Sequence, residues 1–192
     1  MISLPTPRKD SEVSLEHTLA VRRTIRNIGP DPIPLSDLSQ LLWAGQGITD
    51  EHGHRTAPSG YGVYPLELYV VAARVDGLES GAYRYHPREH ALSPVPNGPE
   101  MDHLVALSGG QEVVKRAAVA VLIAGGVEKM EARVGARAIH SLNLEAGHVA
   151  QNILLQATAL GLAATPAAGF DKAELDLPAG ETLYMVLTGN KG

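Results

Sequence analysis

Apolar residues fall along this chain in runs of two periods. Leu38, Leu41 and Leu42 recur at the i, i+3, i+4 spacing of one helix face. Ser36 is the cap this predicts, and Gly45 and Gly47 end the run. A longer stripe (Ile139, Leu142, Ala146, Val149, Ile153, Ala157, Leu160) alternates three- and four-residue steps over residues 135–160, and Gly161 suits its C-terminus. Leu144, Leu155 and Ala159 lie off that stripe, so the helix is apolar on more than one side and belongs in a core or a subunit interface. A further helix is predicted from Ser14 through Arg26, with Leu15, Leu19 and Ile25 as a modest apolar face. Residues 117–124 are continuously apolar, as in a central strand buried on both faces. Residues 66–75 and 183–187 also read as strands, and 82–86 with 91–95 as a hairpin.

Between these runs, residues 99–116 read as short helices, and Asp171 as the cap of another through Leu175. Residues 29–34 form a proline-stiffened connector, and 164–170 a loop bounded by proline and glycine. Residues 48–65 form a long glycine-containing loop of the kind that is usually functional or disordered. Residues 1–192 make one domain, of which 1–13 are a polar arm. The order of elements predicts an α+β fold with a small sheet flanked by helices, not a regular βαβ alternation.

Composition removes several chemistries. There is no cysteine, which excludes disulfides, thiolate catalysis and cysteine-held zinc or iron–sulfur centres. A net charge of −5 argues against nucleic acid or an anionic membrane as partner. No apolar run reaches membrane-spanning length, no signal peptide is visible at Met1–Pro5, and the expected location is the cytoplasm.

No dinucleotide-binding or phosphate-loop glycine motif occurs. His52 and His54 lack the partners of a metal site and read as loop histidines, and no metal is expected. Ser59 has no nucleophile-elbow context. Glu145 and Arg137 read as a structural pair or a solvated face; His86 and His90 as solvated turn residues. His148 reads as a buried residue bonded across a helix interface, or as a site residue. Arg22-Arg23-Thr24-Ile25-Arg26 is the densest basic cluster. It suits either a solvated helix end or a phosphate grip, with Arg22 and Arg26 on one helical face. Together with the 58–65 loop, the 166–169 loop and Lys191, it suits one phosphorylated planar ligand.

Those segments, with residues 38–47, Arg55 through Glu67, 81–85, Glu145 through Asn152 and Thr165 through Phe170, resemble in order the nitroreductase superfamily of FMN proteins, most nearly its SagB-type dehydrogenase branch. The resemblance implies a central sheet flanked by helices and an intertwined homodimer with FMN at the interface. It makes the long helix the central dimer helix. It assigns Arg22, Arg23 and Thr24 to the FMN phosphate and ribityl chain, and Arg26 to tuning the flavin near N1 and the C2 carbonyl. Pro58, Ser59 and Gly60 would reach the partner's FMN. Pro166, Ala167, Ala168 and Gly169 would line the ring, with a backbone N–H on N5, and Lys191 would stand on the phosphate.

The implied reaction is ping-pong hydride transfer from NADH or NADPH through the flavin to a small electron acceptor such as a nitroaromatic, quinone or flavin. No protein group acts as catalyst in that scheme. The alternatives are a flavin-binding or partner-docking protein of weak catalysis, and a substrate oxidase or dehydrogenase that does not use nicotinamide. Two departures stand out. Ala168 occupies a position where some nitroreductases carry glutamate, and Arg133-Val134 stand where azoline oxidases of the SagB branch carry Lys-Tyr.

Overall fold

The computed structural model describes residues 1–175 and 177–192. Its centre is a seven-stranded antiparallel sheet, ordered β1-β6-β5-β3-β7-β9-β8. The strands are β1 (Ile2–Ser3), β3 (Glu67–Ala72), β5 (Gly81–His86), β6 (Ala91–Pro94), β7 (Val119–Ala124), β8 (Ala163–Ala167) and β9 (Thr182–Gly189). A separate parallel pair joins β2 (Ile33–Pro34) to β4 (Val75–Asp76). The helices are α1 (Leu15–Val21), α2 (Leu35–Gln46), α3 (Met101–Leu107), α4 (Glu112–Arg116), α5 (Glu128–Val134) and α6 (Ala138–Ala159). None is long and apolar enough to cross a membrane.

The sheet separates two apolar layers, and the period-2 alternation of its middle strands serves both. Leu68 and Val70 of β3, with Val119, Val121 and Ile123 of β7, pack toward Leu38, Leu41 and Leu42 of α2 and Leu142, Val149 and Ile153 of α6. Tyr69, Val71, Ala120 and Leu122 face the opposite way, onto Leu104 of α3 and Val114 of α4. Burial on both faces explains the unbroken apolar run of β7. Helices α2 and α6 cross closely. A Cβ at Gly45 would lie 3.1 Å from the side chains of both Ile153 and Leu68, so any larger residue there would have to push those side chains aside. Helix α6 ends at Ala159 with Leu160 as its C-cap, and Gly161 follows at φ 76°, the left-handed turn that favours glycine.

Several local expectations are corrected. The first helix ends at Val21 and not Arg26, because the chain leaves it to pair with the sheet: the Ile25 N–H donates to Ala164 O at 3.0 Å. Arg22 and Arg26 therefore do not share a helical face. Ser14 does cap α1, accepting from the His17 N–H at 3.1 Å. Helix α2 begins at Leu35, capped by Pro34, two residues ahead of the expected Ser36 cap. The 164–170 loop is strand β8 as far as Ala167; its proline is tolerated because β8 is an edge strand. No helix follows Asp171, whose carboxylate instead closes a turn onto the Ala173 N–H at 3.1 Å. The 66–75 strand is broken at residues 73 and 74, where both N–H groups donate to Ala118 O. A 3₁₀ turn at Gly135–Arg137 precedes α6, and Ile139 is exposed. The N-terminal arm is anchored: Ile2–Ser3 pair with β6, and Leu4 is buried.

Candidate functional site

The basic cluster lies along the free edge of the sheet. Residues 22–28 run past β8, joined by the Ile25–Ala164 bond and then by a bridge from Ile28 to Lys191. The Gly29 N–H donates to Asn190 O at 2.8 Å and the Gly192 N–H to Asn27 O at 3.1 Å. This pairing brings Arg22, Arg23, Thr24, Arg26 and Lys191 to the edge from which Pro166 and Ala167 continue into Ala168 and Gly169. Arg22 is half-buried; Arg23, Thr24, Arg26, Lys191, Ala168 and Gly169 are exposed. Among the described residues, none of these four cations has an acidic partner. Arg23 donates to Ala20 O at 3.0 Å and Arg22 O at 2.8 Å, capping α1. In an acidic protein, a row of cations with no acid beside it suits a phosphate. Beyond β8 the chain is open at residues 168–169: nothing lies within 4 Å of a Cβ built at Gly169.

Pro58, Ser59 and Gly60 lie elsewhere, against α6. The Ser59 hydroxyl donates to Glu145 Oε2 at 2.6 Å and accepts from the Tyr64 N–H at 2.9 Å. Two turns along α6, Asn152 Nδ2 donates to Thr56 O at 3.2 Å. Residues 145 and 152 thus pin the loop from one helix face. Within the pinned segment Tyr61 and Tyr64 hold positive φ, 56° and 49°, a conformation that costs non-glycine residues on the order of 1 kcal/mol or more and persists only where surroundings impose it. Pro58 and Gly60 are exposed on the outer side. No hydrogen bond between described residues joins this loop to the arginine edge of the same chain.

Glu145 is therefore neither solvated nor paired with Arg137. It is 2% exposed, and Oε1 has no hydrogen-bond partner. Burial pushes its carboxyl above the ordinary range, against the opposing pull of the Ser59 hydroxyl and the nearby Arg55 guanidinium. Its partner Ser59 lies 86 positions away, which no local pattern on α6 points to.

Other expectations change at the histidines. His90 is half-buried: Nε2 lies 3.0 Å from Pro5 O and 2.7 Å from Ser39 Oγ, and Nδ1 lies 2.9 Å from Tyr85 Oη. It ties the N-terminal arm to α2 and β5. His86 is half-buried with Nε2 2.7 Å from Ser93 Oγ. His148 is exposed in the single chain. His54 pairs with Asp50 at 2.6 Å, and that bond holds the Asp50 carboxyl below its usual range. Among the described residues no three histidine or carboxylate side chains gather as metal ligands.

An antiparallel sheet between helical layers thus carries a cationic edge beside the open 168–169 segment. The chain belongs to the nitroreductase family, whose model matches residues 19–187. It is 37% identical over 160 residues to a nitroreductase-family protein of Methanocaldococcus jannaschii, a match covering 83% of this chain and 80% of that one. The structure is similar to that of a nitroreductase-family protein of Ralstonia eutropha JMP134, at TM-score 0.86 and 27% identity, over 100% of this chain and 89% of the other. It shares its fold with a Desulfovibrio desulfuricans nitroreductase-family protein solved in complex with FMN, at TM-score 0.67 and 22% identity, over 95% of this chain and 88% of that one.

Proposed function

We propose that this flavin oxidoreductase uses FMN and takes hydride from NADH or NADPH for a small electron acceptor of nitroaromatic, quinone or flavin type. The observation carrying this reading is the edge at which Arg22, Arg23, Arg26 and Lys191 stand without acidic partners beside the open 168–169 segment. Arg22, Arg23, Thr24 and Lys191 hold the phosphate and ribityl chain. The backbone of Pro166, Ala167, Ala168 and Gly169 lines one side of the ring. FMN, when bound, accepts and passes on hydride at N5, chemistry no side chain here supplies. Arg26 sets its positive charge where reduction makes the ring anionic, favouring the reduced form.

The protein acts as a homodimer in this reading. Pro58, Ser59 and Gly60 serve the partner's site, which accounts for their standing on α6, apart from the arginine edge of their own chain. Because the Ser59 hydroxyl is engaged with Glu145 and Tyr64, the loop contributes backbone to that site. Exposed Ile139 and Leu144 on α6, and Leu15 and Leu19 on α1, supply apolar surface for the pairing.

Purified protein is expected to bind FMN stoichiometrically, and NADH or NADPH to bleach the flavin absorbance in stopped flow. No bleaching by either nucleotide, with FMN bound, would sink the nicotinamide reading and leave a flavin-binding or other oxidase role. Arg22→Ala is expected to weaken FMN binding by about tenfold or more while the circular dichroism spectrum persists. Retained full affinity would remove Arg22 from the phosphate site.

A further inference from the structure

A second cavity, of about 380 Å³, opens on the far side of the pinned loop, between it and the turn joining β5 to β6. Its walls include Arg55, Tyr64, Leu66, Arg84, His86 and Arg88. It shares no lining residue with the proposed phosphate edge or residues 166–169.

The charges in this cleft are unevenly answered. Arg84 is paired with Glu67 at 2.9 Å. Arg88 and Glu89 stand at the rim with opposite sign. Arg55 is left. Its Nη1 donates to Gln46 Oε1 at 2.7 Å and to Leu66 O at 3.3 Å. Among the described residues, its Nε and Nη2 have no acceptor. The guanidinium sits 4.8 Å from the centre of the Tyr64 ring, which fixes it from one side. Burial works against its charge. Of the carboxylates, Glu145 favours its charge most and Glu67 next, but Glu145 gives Oε2 to Ser59 and Glu67 gives Oε1 to Arg84.

A half-buried guanidinium held by Nη1, with its Nε–Nη2 edge unspent, offers the two parallel N–H donors that match a carboxylate. The partly exposed side chains of Val63 and Tyr64 line the same cleft, and the volume is that of a small-ligand site. We propose that this cleft binds a small organic carboxylate, its head group on Arg55 and its apolar body along Tyr64 and Val63. Arg55, Arg84 and Arg88 against Glu67 and Glu89 leave one net positive charge along the walls, which suits a singly charged carboxylate better than a phosphate dianion. The site stands on its own geometry and does not depend on flavin.

The test uses the protein as purified, without added flavin, and follows phenylglyoxal modification of Arg55 by peptide mass spectrometry. The probes are sodium benzoate, sodium hexanoate, benzamide and inorganic phosphate. Benzoate and hexanoate are expected to protect Arg55, and benzamide, of the same shape but uncharged, to leave it reactive. In calorimetry Arg55→Gln should weaken benzoate binding by about tenfold or more, with Arg55→Lys between that variant and the wild type. If Arg55→Gln does not fold, the protection experiment on the wild type decides alone. Protection by neither carboxylate, or equal protection by benzamide, overturns the proposal. Protection by inorganic phosphate as strong as by benzoate overturns the carboxylate assignment and gives the cleft to phosphate.

Discussion

At the scale of single residues, Glu145 carries the most consequence. Its Oε2 is the only described acceptor for the Ser59 hydroxyl, and the loop geometry hangs on Ser59. Glu145→Ala leaves a half-buried hydroxyl unpaired and is expected to cost about 1 kcal/mol in urea unfolding. Glu145→Gln keeps an acceptor of the same shape and should cost much less. The pair also separates with pH. Burial raises the folded-state pKa of Glu145, so its contribution is full below the ordinary carboxyl range and is lost as pH rises through the raised value. Relative to wild type, Glu145→Gln should therefore gain thermal stability between acidic and neutral pH; a constant difference would show that Glu145 does not titrate abnormally. His90 has the opposite sign. Burial lowers its folded-state pKa, so its stabilisation holds above the ordinary imidazole range and fades as pH falls through the lowered value. Such residues were illegible in sequence, since Glu145 and His90 take their partners from 86 and 51 positions away.

Among elements, α2, α6 and β7 were readable because their own periodicity mirrors what they touch. The misread elements are those whose partner, not their composition, decides the conformation. The 22–26 segment has a helical pattern and still becomes an extended edge, because Ile25 finds Ala164. Strand β8 contains Pro166 and survives because one side of it faces no other strand of the sheet. Helix α5 is seven residues long with Met130 as its one fully buried side chain, too little for a periodic signal. The α2–α6 crossing gives a test at this scale. Ile153→Ala empties a fully buried position against Gly45 and should cost about 2–5 kcal/mol. Gly45→Val should also destabilise, because its Cβ meets Ile153 and Leu68 at 3.1 Å. Unchanged unfolding midpoints in both would mean the helices do not pack as described.

For the whole molecule, the two halves of the proposed flavin site stand on different parts of one chain, the arginine edge beside β8 and the Pro58–Gly60 loop on α6. A dimer that completes each site from two chains should lose cofactor on dissociation. Leu144→Asp places a charge on the exposed apolar side of α6, which is 53% exposed at this residue. Sedimentation should show a shift toward monomer, and FMN affinity should fall with it. A monomer that keeps full affinity would show that one chain suffices. The sandwich was legible as an α+β pattern, whereas the place of each site segment depended on strand order, which no local run encodes.

The bridge between Ile28 and Lys191 has a consequence for how the chain comes to life on the ribosome. Strand β8 pairs only with β9, and β9 also supplies the second neighbour of β7. A nascent chain emerging in order would display the open side of β7 and a loose basic edge until residues 182–191 clear the exit tunnel. Topologies dominated by such distant pairings fold slowly, because the loop must close before any contact rewards it. The arginine edge would thus form only once residues 182–191 are available, and a cofactor seated there would be taken up after translation of residue 191 and not during it.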